Sequence, residues 1–91
     1  LYLKQTTEQL EQIRAAVTAR DADGMSRVAH SCAGASATCG MLAIVPLLRQ
    51  VEHLSADEKL DEAAAVMPQV DREFERLKRF LENKKPIALA G

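Results

Sequence analysis

Apolar side chains at positions 3, 10, 13 and 17 recur at helical spacing, with Glu, Gln, Lys and Arg between them, and predict a first helix over residues 3–19. The run Arg20-Asp21-Ala22-Asp23-Gly24 breaks that pattern. Asp21 is placed to cap a second helix, which should run to about Cys39 and close with Gly40 in a left-handed conformation. A third helix is predicted over 42–54, with Pro46 in its first turn, an inward stripe of Ile44, Leu47, Leu48, Val51 and Leu54, and His53 facing the other way. Ser55 followed by Glu58 reads as a capping box that opens a fourth helix near Ala56. That helix should reach about Asn83, because Leu60, Ala64, Met67, Val70, Phe74, Leu77 and Leu81 keep one stripe. The stripe crosses Pro68, which fits either one kinked helix or two shorter ones.

Four amphipathic helices with short connections predict an all-α fold, an antiparallel up-down-up-down four-helix bundle over residues 1–83, with 84–91 as a tail or linker. Composition agrees: 91 residues support one core, 47% are apolar, and the 3% aromatic share leaves aliphatic side chains to fill the interior. Twelve basic and thirteen acidic side chains nearly cancel, so no electrostatic footprint for nucleic acid or an anionic membrane surface is expected. The longest apolar run, 41–48, is far shorter than the roughly 20 residues of a membrane span, and no secretory signal begins the sequence. A soluble, cytoplasmic protein is expected. The two cysteines, Cys32 and Cys39, stand about 10 Å apart along one helix, cannot pair there, and read as buried free thiols.

The second helix holds the candidate chemistry. Met25, Val28, Cys32, Ala35, Ser36 and Cys39 fall in one arc of it, and His30 lies about 180° from the centre of that arc, so its ring should face solvent or a partner. Its surface neighbours at three, four and seven residues on are Ala33, Gly34 and Ala37, none of which can cover an imidazole. Most lone surface histidines are plain solvated polar groups, and His53 reads that way. His30 differs because its surroundings are small and apolar instead of the usual Lys/Glu face. Gly34 costs a helix about 1 kcal/mol relative to alanine, and close approach of another surface would explain it. Arg27, one turn before His30, is a surface charge also placed to steady an anion on the ring.

Other chemistries lack their residues. His30 and Cys32 project about 200° apart and His53 faces outward from another helix, so no zinc set forms. No Glu is followed by His at the third position, as a di-iron bundle requires. Neither a glycine-rich nucleophile turn nor a phosphate-cradling loop is present.

The segment from His30 through Gly34 and Ser36 to Gly40 resembles the active helix of histidine-containing phosphotransfer (HPt) domains, approximately H-x-L-K-G-x-S-x-x-x-G. Ile44, Leu47, Val51 and Glu52 continue the likeness into a leucine-rich third helix ending in Leu-Glu, and the resemblance spans roughly residues 3–82. It departs twice: Cys32 replaces the usual leucine, and Ala33 replaces the lysine that helps to hold the phosphoryl group. The resemblance implies a phosphorelay intermediate in a two-component system. His30 would accept a phosphoryl group from a receiver-domain aspartyl phosphate and pass it to another receiver, with Ser26, Arg27, Ala33, Gly34, Ala37 and Met41 as the partner-binding surface. It further implies a monomer without kinase or hydrolase activity of its own and without a metal or cofactor, Mg²⁺ being carried by the receiver. The partners implied are response-regulator receivers and a hybrid histidine kinase. A non-catalytic helical adaptor using the same face is the alternative, supported by the missing lysine. The phosphoacceptor helix of a histidine kinase fits less well, since Ser31 and not an acid follows His30.

Overall fold

The computed structural model describes the backbone of residues 2–90 and the side chains of residues 2–81. Four helices follow in order: α1 (Tyr2–Ala19), α2 (Ala22–Thr38), α3 (Val45–Ala56) and α4 (Leu60–Ala90). α2 packs on both α1 and α3, α3 packs on α4, and α4 returns to α1, which gives the expected antiparallel four-helix bundle. Its core is aliphatic, built from Leu10, Ile13, Met25, Ile44, Leu48, Val51, Met67 and Val70, with Phe74 the buried aromatic ring. No helix among the described residues is long and apolar enough to cross a membrane.

The reversals between helices share one device. Arg20, Gly40 and Glu58 adopt positive φ (57°, 77° and 60°), and the N–H of the next residue donates to the carbonyl five positions back, Asp21 to Ala16 (2.9 Å), Met41 to Ser36 (2.8 Å) and Lys59 to Leu54 (2.8 Å). This left-handed closure satisfies helix carbonyls that would otherwise lack partners. Asp21 caps α2 as expected, its Oδ1 accepting from the Gly24 N–H at 3.0 Å.

Two boundaries differ from expectation. α3 begins at Val45 and not at residue 42, because the Met41 N–H is used to close α2 and Pro46, whose missing donor suits only a first turn, sets where the next helix opens. Ser55 and Glu58 form no capping box. Ser55 lies one turn after Val51 on the inward stripe of α3, is fully buried, and donates its hydroxyl to the Val51 carbonyl at 2.7 Å. α3 therefore runs on through Ala56, Glu58 makes the left-handed turn, and α4 opens at Leu60. α4 continues unbroken through Pro68. Its backbone passes Asn83 to Ala90, while the division into a bundle over 1–83 and a tail over 84–91 falls on residues whose side chains lie outside those described.

The buried face of α2 also sits elsewhere than the large side chains suggested. Met25, Ala29, Cys32, Ala33 and Ser36 are buried, while Val28 and Ala35 are half-buried and Cys39, the C-cap, is exposed. The stripe is turned by roughly 60° toward α3. α2 is clasped by α1 on one side and α3 on the other, and the α3 side is lined with alanines whose small size lets the two helices approach. Burial pushes the Cys32 thiol up to about 11, against a hydrogen bond with Ser36 that acts in the opposite direction.

Candidate functional site

The turned core face of α2 decides where His30 points. Relative to the centre of the buried stripe, His30 lies roughly 115° round the helix, on the flank toward α3 and not diametrically opposite the core. Its side chain is 72% exposed, yet its Nδ1 sits 2.8 Å from Oε2 of Glu52 on α3, whose side chain is only 19% exposed. A carboxylate accepts hydrogen bonds and does not donate them, so Nδ1 carries the proton in this contact. In the neutral ring Nε2 then keeps a free lone pair. The ring is thus held by one nitrogen and presents the other as a nucleophile, an arrangement that also fixes its orientation and tautomer.

The surface around His30 is low and mostly small. Gly34 and Ala37 are exposed, and a Cβ built on Gly34 would meet nothing within 4 Å, so no packing inside this chain requires glycine there. Arg27 is exposed and ion-paired with Asp23 at 3.1 Å, one turn back on the same helix. Ser26 is half-buried, and Met41 packs partly against the core edge beyond the end of α2. Ala33 corrects the expected surface: it is 1% exposed, buried against α3, and presents nothing to a partner. Cys39 corrects the expected core, as an exposed free thiol, and His53 is exposed as expected. Among the described residues, no group of three or more His, Cys, Asp or Glu side chains could hold a metal ion.

Sequence reasoning did not assign Glu52 a role. The signal was present: if the chain folds back on itself about the turn near Met41, residues 30 and 52 come level on adjacent antiparallel helices. Glu52 also follows Val51 on the α3 core stripe, which places a carboxylate at the rim of the helix pair.

Residues 1–80 match the family model described as the Hpt domain. The chain belongs to the Hpt family. Among solved structures it is similar to histidine-containing phosphotransfer protein B (HptB) from Pseudomonas aeruginosa PAO1, a crystal structure, with 25% sequence identity and a TM-score of 0.89 over 93% of this chain and 74% of that one. No curated protein matches the chain. Fold, motif and family therefore agree on a histidine phosphotransfer protein of phosphorelays.

Proposed function

We propose that Nε2 of His30 accepts a phosphoryl group from the aspartyl phosphate of one receiver domain and gives it to the aspartate of a second. The observation that carries this reading is the 2.8 Å contact of Nδ1 with Glu52 on an otherwise exposed ring. The Nε2 lone pair attacks phosphorus in line, and the N–P bond forms as the bond from phosphorus to the aspartyl oxygen breaks, the electron pair leaving with the carboxylate. The ring then holds both Nδ1–H and N–P and carries positive charge, which the Glu52 carboxylate stabilises where it develops. Transfer to the second receiver reverses these steps. Phosphoryl transfer relies on positioning and charge stabilisation more than on side-chain chemistry, so an open helix face suffices.

Gly34 and Ala37, with Ser26, Arg27 and Met41 around them, form the docking surface in this reading, and their low profile brings the receiver's aspartyl phosphate down to Nε2. Mg²⁺ belongs to the receiver. All four helices come from one chain, which supports a monomer and disfavours a kinase dimerisation domain that pools helices from two chains. A cytoplasmic setting goes with receiver partners. Incubation with a phosphorylated cognate receiver should place acid-labile phosphate on this chain and none on His30→Gln; label retained by that variant contradicts the assignment. The adaptor reading predicts instead unchanged receiver binding by His30→Gln and no transfer to the native chain.

A further inference from the structure

A phosphoryl group arriving on Nε2 brings negative charge to a ring already tied to a carboxylate. Glu52 stabilises the imidazolium but repels the phosphoryl oxygens, so a cation on the outer side of the ring is needed to hold them. α2 supplies none toward α3: Ala33, one turn after His30 on that flank, is uncharged and buried. Arg27 lies on the side of α2 turned away from α3, and its guanidinium is engaged by Asp23 at 3.1 Å.

The geometry points to Arg49 on α3 as the residue that binds the phosphoryl oxygens on His30. The His30–Glu52 contact fixes the register of the antiparallel α2–α3 pair. Arg49 lies three residues back from Glu52, as Ala33 lies three residues on from His30, so Arg49 and Ala33 are level, about 4.5 Å along the helices from the His30–Glu52 contact. On α3, Arg49 is turned about 60° further from the core than Glu52 and in the same sense, which brings it out onto the face where His30 is exposed. Its side chain is exposed, with no ion pair or hydrogen bond among the described residues. A guanidinium there meets two phosphoryl oxygens with paired N–H donors, the geometry that favours arginine for phosphate. The positive charge absent from α2 at residue 33 is supplied across the helix pair.

This inference rests on His30 being the phosphoacceptor, and the test separates the two. Phosphoramidate serves as the donor, its bond from phosphorus to nitrogen breaking with release of ammonia as the bond to Nε2 forms, so no receiver surface is involved. Phosphohistidine formation and its later hydrolysis are followed by ³¹P NMR on native protein, Arg49→Gln, Arg49→Lys and Arg72→Gln, with helicity checked for each. Arg49→Gln should slow formation roughly tenfold, the scale of one charge-assisted hydrogen bond, and shorten the lifetime of the phosphorylated form. Arg49→Lys should recover most of the rate, and Arg72→Gln on α4 should match the native protein. Equal rates for native and Arg49→Gln proteins overturn the role of Arg49 while leaving His30 standing. Absence of phosphohistidine on the native protein overturns both.

Discussion

Glu52 is the residue that turns a solvent-exposed imidazole into a directed nucleophile, and its two functions separate by substitution. In Glu52→Gln the amide oxygen still accepts from Nδ1–H, so ring orientation survives while the charge that stabilises the phosphorylated imidazolium is lost. In Glu52→Ala both are lost. Phosphotransfer rates from a receiver should therefore fall in the order native, Glu52→Gln, Glu52→Ala, with about a tenfold loss at the first step and a further loss at the second, while receiver affinity changes little. Equal rates for the two variants would show that only the carboxylate's charge matters, and a native rate in Glu52→Gln would show that only the ring's orientation does. His30 itself was legible from the chain because a histidine among Ala and Gly on a helix surface is unusual. Glu52 was not, since a Glu on an amphipathic helix looks like any solvated charge until the partner helix is brought alongside. Ala33 misled for a related reason: alanine marks neither core nor surface by type, and the close approach of α3 settled its place.

At the level of elements, Gly34 separates folding from docking. Its position in α2 is open, with nothing within 4 Å of an added Cβ, so Gly34→Ala should stabilise the protein toward denaturant by up to about 1 kcal/mol through helix propensity alone. A larger side chain, as in Gly34→Leu, should keep most of that gain in stability and weaken receiver binding, readable by titration calorimetry. Loss of stability in Gly34→Ala would show that the glycine serves the bundle and not a partner. Helix existence and order were legible because each helix carries a stripe of apolar residues. The boundaries around α3 were less so: Ser55 and Glu58 have the spacing of a capping box, yet Ser55 falls on the inward stripe and Glu58 takes the left-handed turn. Chain closure by a residue such as Arg20 or Glu58 carries no sequence mark, whereas Gly40 does.

The whole molecule keeps its reactive ring outside and a thiol inside, and the buried thiol couples stability to pH. Burial raises the Cys32 thiol from 9.0 to about 11, so the folded state retains its proton after the unfolded chain has lost it. Stability from this group is intact below pH 9 and declines as pH rises from there to about 11. Denaturation midpoints should accordingly fall more steeply over that range for the native protein than for Cys32→Ala; equal slopes would place Cys32 in contact with water. The bundle as a whole acts as a rigid mount, in which α2 and α3 bring His30 and Glu52 together and leave the outer nitrogen clear. The most direct test of that arrangement is ¹⁵N and ³¹P NMR of the uniformly ¹⁵N-labelled chain after phosphorylation by a receiver. The expected result is phosphorus coupled to Nε2 of His30 with the proton retained on Nδ1, and coupling to Nδ1, or to either nitrogen of His53, would contradict it.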